Sequence, residues 1–326
     1  MAFKIAVIGC GWISTACHGP VYIKYAADHP DTELTACCDV DASRAEGFRY
    51  QYGFARSYTD YHAMLEREKP DVVCLNVPEK LLCEMGCWIM EMGIPLFSEK
   101  PPGLTVAEID RMIKTAKSTG VIHQVAFNRR FSPLVIELKR QMKDITVHHL
   151  DHQFYRIGRT AYDFTATAIH AVDTVRFLMG DYQHIRFHYQ EFLALSQKAP
   201  TANFLLDCTF ASGATALLSI CPVTGVSLER TIVHGVDHTF FLCMNTGPDV
   251  PGRLQHFEKG QFIQELTGAE FTGSTEDLVL SGFDAENTIF FDAVRSGQQP
   301  VHDFQSCRQS VEIMACMRDR VSVYTV

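Results

Sequence analysis

The sequence predicts an α/β protein of two domains, a doubly wound parallel sheet followed by a mostly antiparallel α+β part. Three observations predict it. The 326 residues exceed what one hydrophobic core usually serves. The first third alternates short β-branched runs with helical patterns, as consecutive βαβ units do. From residue 123 the runs alternate apolar and polar residues with turns between them, as antiparallel strands do. The expected division is therefore 1–122 and 123–326, with the closing helices packing back toward the first domain.

In order, "KIAVIG" (4–9) reads as a buried central strand, "ELTACCD" (33–39) as the second, "DVVCLNVP" (71–78) as a later one and "IPLFSE" (94–99) as the next. Helices fit between them at 42–52 before Gly53, at 61–67 behind an Asp60 cap, and at 80–92 before Gly93. Thr105 and Glu108 spell a capping box, with Ile109, Met112, Ile113 and Ala116 on one face and Gly120 as the stop. "VIHQVAF" (121–127) supplies another strand. Beyond it, "HHLDHQFYRIG", "TANFLLDCTFASGATALLSICPV", "RTIVHGVDHTFFLCMN" and "GRLQHFEKGQFIQEL" read as strands, interrupted by a helix at 165–179 before Gly180. Two helices close the chain, one with Ile289, Phe290, Ala293 and Val294 ahead of Gly297, the other with Val311, Ile313, Met314, Ala315 and Met317.

Composition narrows the partners. An apolar fraction of 47% and a charged fraction of 21% are those of an ordinary globular protein. With a net charge of −9 and scattered basic residues, no positive stripe exists for nucleic acid or anionic lipid. No apolar run approaches the roughly 18 residues that span a bilayer, and no charged start precedes an apolar signal core. The twelve cysteines include no CxxC pair of metal-like spacing, so reduced, mostly buried thiols and a cytoplasmic location are expected. His148, His149 and His152 cluster without a Cys or carboxylate partner at recognisable spacing, so no metal site is expected. Cys37 and Cys38, adjacent on a strand, point to opposite faces.

"VIGCGWIS" places Gly9, Gly11 and Ser14 in a G-x-G-x-x-S pattern directly after a strand. Gly9 permits a tight turn, Gly11 a close approach of backbone to a pyrophosphate, and Ser14 close packing of helix on strand. The N–H groups that follow, around Trp12 and Ile13, face an anion at the helix N-terminus. A plain strand-to-helix turn has the same spelling. The second strand, however, ends in Asp39, at the distance expected of a ribose-binding carboxylate, which favours a dinucleotide. Asp39 accepts from a 2′-hydroxyl and repels a 2′-phosphate, favouring NAD over NADP; Arg44, close by, could pair with such a phosphate, so NADP stays open.

In "LFSEKPPGL" (96–104) the pair Glu99 and Lys100 falls at the carboxyl end of a strand, where open parallel sheets bind their ligands. Pro101 and Pro102 remove two backbone donors and forbid a helix, so the chain leaves the strand in a stiff extended form with Lys100 aimed at the cofactor. An isolated Glu–Lys pair on a surface would carry no such meaning.

"EKPPG", "FNRRFSP" (127–133) and "IHAVDTVRFLMG" (169–180) together resemble the glucose–fructose oxidoreductase / inositol dehydrogenase / MocA family over essentially the whole chain, the Arg-rich spelling being closest to MviM-like oxidoreductases. The resemblance implies a nicotinamide enzyme acting on a sugar, cyclitol or related polyol. It implies an N-terminal Rossmann domain and a C-terminal α+β domain on a large open sheet that mediates homodimers or homotetramers. It assigns Lys100 to the reacting hydroxyl and the nicotinamide ribose, Glu99 to the cofactor side, and Asn76 and Pro78 of "NVP" to the cofactor-binding set. His170 and Asp173 match the family's H-x-x-D, and their i, i+3 spacing puts them on one helix face. Asn128 and Arg129 fall near the nicotinamide, and Arg130 at a bracing position. The implied chemistry is hydride transfer between a carbinol carbon and the nicotinamide, with Lys100 and His170, from separate domains, converging over one ring. Lysine starts near pKa 10.4, so Lys100 serves as a base at neutral pH only if burial or the positive nicotinamide ring depresses it; protonated, it can polarise a carbonyl in reduction while His170 donates the proton.

Two positions depart from the pattern. Ala166 stands where many members carry an Asp one turn before the histidine, with Asp163 too far upstream to replace it, and Leu82 stands where a His is common. These losses keep a second reading open, a non-catalytic NAD(H)-sensing protein of the same fold. A third, redox-assisted glycoside cleavage with retained NAD, would form product without net NADH. The aromatics Phe154, Tyr155, Tyr162 and Phe164 are candidates for lining a sugar pocket or for core packing.

Overall fold

The computed structural model describes residues 2–159, 164–193, 200–246 and 250–326. The chain divides into two compact units, Met1–Phe127 with Phe283–Val311 and Asn128–Gly282 with Glu312–Val326.

The first unit is a six-stranded sheet in the order β3-β2-β1-β4-β5-β6, built from β1 (Phe3–Ile8), β2 (Thr32–Cys38), β3 (Arg56–Tyr58), β4 (Val72–Leu75), β5 (Leu96–Ser98) and β6 (His123–Val125). Every neighbouring pair is parallel. Strand order reverses between β1 and β4, which opens a crevice at their carboxyl ends. The crossover helices are α1 (Gly19–Asp28), α2 (Ala42–Tyr52), α3 (Tyr61–Glu68), α4 (Glu79–Glu91) and α5 (Val106–Thr119). Their ends follow from local chemistry: Asp41 and Asp60 cap the N–H groups of α2 and α3, Thr105 and Glu108 form the capping box of α5, and Gly53 and Gly120 close two helices in the left-handed region.

One feature differs from the sequence reading. β6 pairs with β5, so the boundary expected at 122 falls one strand short. Residues 123–128 are all buried and burial alternates only from β7 onward, so the end of the parallel sheet is decided by pairing. One of the closing helices, α10 (Phe283–Ser296), belongs to this unit: Phe290 and Phe291 share its core with Phe3, Tyr22 and Phe97.

The second unit carries a nine-stranded sheet in the order β14-β13-β12-β11-β7-β10-β9-β8-β15. Its strands are β7 (Val147–Tyr155), β8 (Tyr182–Leu193), β9 (Pro200–Phe210), β10 (Thr215–Cys221), β11 (Leu228–Gly235), β12 (His238–Cys243), β13 (Arg253–Glu258), β14 (Gln261–Thr267) and β15 (Val323–Thr325). All pairs are antiparallel except β7 with β10. One face is covered by α6 (Pro133–Met142) and α7 (Thr165–Met179), whose Leu134, Leu138, Val172 and Val175 bury against Leu150, Phe204 and Leu218. Short helices α8 (Gly268–Thr272) and α9 (Asp277–Leu280) lead out of β14 toward α10, and α11 (Arg308–Arg318) sends Ile313 and Met317 into this second core. No described helix is long and apolar enough to cross a membrane.

Candidate functional site

In the first unit, candidate groups gather where β1, β2, β4 and β5 end. Gly9 turns the chain at φ +94°, and a Cβ there would stand 2.3 Å from the carbonyl oxygen of Asn76, so no other residue fits. The space where Gly11 would carry a Cβ is open to 4 Å. Ser14 donates to the Gly9 carbonyl at 2.5 Å and accepts from Asn76 Nδ2 at 3.0 Å, tying helix start to strand end. Trp12 and Ile13 open that helix, with Trp12 exposed. A wide π turn over Ser14–His18 then leads into α1.

Asp39 accepts from the backbone N–H of Cys10 at 2.9 Å and of Asp41 at 3.0 Å. Arg44 lies 3.6 Å from Asp41, a carboxylate that sequence reasoning did not set against it. Asn76 donates to Ser14 and Tyr22, and its buried Oδ1 meets no protein donor. Pro78 stands at the N-cap of α4. Open space over Gly11, a buried acceptor awaiting a donor, and a carboxylate at Asp39 are what a dinucleotide requires, and the donor set fits it.

Lys100 lies two residues beyond the end of β5, and its bond to Pro101 is cis. Glu99 is turned inward. One carboxylate oxygen lies 3.0 Å from His18 Nε2 and the other accepts the backbone N–H of Lys100 at 3.0 Å. Burial pushes this carboxyl up, but the hydrogen bond and charge of His18 and the nearby Lys100 ammonium outweigh it, so the group stays below the usual carboxylate range. Nothing in the local sequence flags His18, because its partners lie 81 and 269 residues away.

In the second unit, a 3₁₀ turn over Asn128–Phe131 presents two arginines to the same face of α7. Gly282, at φ +88°, packs so closely that a Cβ would lie 2.2 Å from the Asn128 carbonyl, and Asn128 Nδ2 donates to Ser281. Arg130 grips Asp173 with two bonds of 2.8 and 2.6 Å, both residues buried. Arg129 points an N–H at His170 Nε2 at 3.3 Å and binds Glu229 at 2.7 Å. A guanidinium has no lone pair to give, so Nε2 accepts and the ring proton sits on Nδ1. Asp173, expected beside the chemistry, is thus engaged by Arg130, and Arg129 is engaged by Glu229 of β11.

Glu229 also pairs with Arg156. Burial raises this carboxyl, but Arg129 and Arg156 overcome that and hold it at about 2. Beside them His152, facing the core and bonded to Thr231 at 2.9 Å, is pushed down by burial to about 4. Its folded value lies below the ordinary 6.5, so the unfolded chain takes up the proton first. Stability therefore falls as pH drops from 6.5 to 4, by on the order of 3 kcal/mol. Urea titrations across this range should show the loss, and His152→Phe should flatten it; an equal slope in the variant would assign it elsewhere.

Of the remaining candidates, Phe154 faces the core beneath Arg156, which stacks 3.7 Å from its ring centre, and Phe164 stacks on Phe204. Tyr155 lies on the other face of β7, Tyr162 and Asp163 lie outside the described residues, and Leu82 and Ala166 are buried. His149 bonds Thr215 on the face opposite His152.

Residues 3–127 match the family described as "Oxidoreductase family, NAD-binding Rossmann fold", the Gfo/Idh/MocA oxidoreductases. The chain is 32% identical over 139 residues to a D-glucoside 3-dehydrogenase of Escherichia coli, 43% of this chain and 38% of that protein. It is 30% identical over 142 residues to the scyllo-inositol 2-dehydrogenase (NADP(+)) of Bacillus subtilis, 44% of this chain and 42% of that one. The aligned region thus spans less than half the length of these relatives. Among solved structures, the dehydrogenase MviM of Clostridium difficile superposes with a TM-score of 0.82 at 17% identity, covering 98% of this chain and all of that one, which shows a shared fold. Residues 3–127 of the first unit thus match the NAD-binding Rossmann domain of the glucose–fructose oxidoreductase / inositol dehydrogenase / MocA family.

Proposed function

We propose that the protein is a nicotinamide-dependent oxidoreductase acting on a CH–OH group of a sugar, cyclitol or related polyol. The observation that carries this is the set at the carboxyl edge of the parallel sheet: the Gly9–Ser14 turn, Asp39, the unpaired Oδ1 of Asn76, and Lys100 at the end of the neighbouring strand. Relatives named as glucoside and inositol dehydrogenases support the substrate class.

When bound, NAD(H) supplies or accepts the hydride. The chain's own part is to hold the pyrophosphate at the helix start, fix the ribose at Asp39, and bring an ammonium to the substrate oxygen. Lys100, with an ordinary value of about 10.4, is the cation that polarises a carbonyl in reduction. His170 takes up or returns the oxygen's proton at Nε2, which must release the Arg129 N–H that it accepts in the resting protein. Asp173 steadies this helix face through Arg130.

Fluorescence titration with NADH, followed by a polyol panel read as nicotinamide reduction, tests the reading. Binding with turnover of at least one polyol is expected. Tight binding without turnover across the panel would favour the NADH sensor, and absence of binding would overturn both. Asp39→Asn, which keeps an acceptor but removes the charge, is expected to narrow the preference for NADH over NADPH about fivefold, since like charges near 4 Å in water repel by roughly 1 kcal/mol. An unchanged ratio would move cofactor choice away from Asp39.

The twelve cysteines are all free thiols, which supports a reducing, cytoplasmic setting. Exposed Leu205 and Leu217 on the uncovered face of the nine-stranded sheet support a homo-oligomer formed there.

A further inference from the structure

The geometry points to His18 as a positioning residue for Lys100, acting through Glu99. This goes beyond the proposed oxidoreductase reading and rests on it for its functional meaning.

Three observations converge. The first is a hydrogen-bonded chain through the interior of the first unit. Asn287 of α10 meets His18 Nδ1 at 3.0 to 3.3 Å, His18 Nε2 meets Glu99 at 3.0 Å, and the other Glu99 oxygen holds the Lys100 backbone N–H at 3.0 Å. Asn287 is itself anchored, donating to the Phe283 carbonyl at 2.8 Å. The main chain of Glu99 is pinned separately, its N–H bonding Leu75 of β4. Both carboxylate oxygens are thus committed, one to a side chain and one to the backbone of the reactive residue.

The second observation is the box around the imidazole. His18 is fully buried, edge-on to Phe97 and Phe283 and stacked on Tyr22 at 6.1 Å. A phenylalanine would suit this aromatic enclosure by shape, but only a donor satisfies the buried Glu99 oxygen, since removing one partner of a buried pair strands the other. Packing alone therefore gives no reason for a histidine here. The third is local winding: the helix after the glycine turn opens into a π turn that ends on His18. Such bulges occur mostly where function requires a side chain to be re-aimed.

The consequence is electrostatic as well as geometric. The Lys100 ammonium helps keep Glu99 ionised, and by reciprocity the Glu99 charge favours the protonated lysine. Tyr22 is the other titratable group that feels Glu99. With the imidazole gone, a buried carboxylate oxygen loses its donor, and Glu99 turns away toward another donor or solvent. Lys100 then loses a neighbouring negative charge and its fixed aim.

Reductive ¹³C-methylation makes this measurable without turnover. The Lys100 dimethylamine resonance, assigned by its loss in Lys100→Arg, is followed against pH in the wild-type protein, His18→Phe and Asn287→Leu. In His18→Phe the midpoint should fall by roughly one pH unit; Asn287→Leu, which removes the other hydrogen bond of the same ring, should move it in the same direction by less. Circular dichroism identifies the folded variants, and Asn287→Leu carries the test should His18→Phe not fold. A folded variant with the wild-type midpoint overturns the assignment, because a purely structural histidine would alter the melting temperature and leave the lysine's titration alone. NADH titration of the wild-type protein separately reports on the oxidoreductase reading, so the two failures are distinguishable.

Discussion

Replacing Lys100 by Ala is expected to lower turnover of an identified polyol by about 10²–10⁴-fold, the usual span for a lost proton-transfer or charge-stabilising group. NADH affinity should fall far less, since the ribose contact of Lys100 is one of several that hold the dinucleotide. The reason lies in where binding and chemistry are housed. The dinucleotide is gripped by backbone and small groups, the Gly9–Ser14 turn and Asp39, whereas the ammonium of Lys100 answers charge that develops only as the carbinol becomes a carbonyl or the reverse. Lys100→Arg should not rescue it, because a planar guanidinium cannot substitute for a point charge at the same reach. Stopped-flow and steady-state rates check this, and turnover unaltered in the alanine variant would remove Lys100 from the reaction.

Asp173→Ala should act on stability first. The Arg130–Asp173 pair is bidentate and buried, with exposures of 4% and 1%, so truncation strands a guanidinium without its counter-charge. Breaking one side of a buried pair costs roughly 3–5 kcal/mol. Urea unfolding should register that loss, while Asp173→Asn, keeping one acceptor, should lose less. If Asp173→Ala instead kept its urea midpoint and lost only turnover, Asp173 would be a catalytic residue and its bond to Arg130 incidental.

These two predictions show what the chain disclosed in one dimension. Where a signal is local it was legible: Asp41 and Gly53 bound α2, the Thr105–Glu108 box starts α5, and Gly180 stops α7. The glycine turn, Asp39 and Lys100 were legible because strand ends and spacing locate them. Missed elements lacked such signals or carried faint ones. β3 is three residues on a sheet edge, and β8 has a register shift near Tyr182 that breaks its alternation. α6 did announce itself, through Pro133 at its first turn behind Ser132. His18, Asn287, Glu229 and Arg156 could not be found, since each gains its meaning from a partner that only folding brings near. The same holds for Arg129 and Asp173, whose residue types were noticed while their ion-pair partners were invisible.

The nucleotide-binding unit borrows α10 from far down the chain, and this orders events during synthesis. Residues up to Phe127 emerge from the ribosome with the aromatic cluster of Phe3, Tyr22 and Phe97 still lacking Phe290 and Phe291. At ordinary translation speeds the missing helix arrives on the order of 10 to 30 s later. A nascent N-terminal fragment must wait that long with a greasy flank uncovered, a natural client for a chaperone, and a gene truncated after Phe127 would be expected to yield inclusion bodies instead of a free-standing domain.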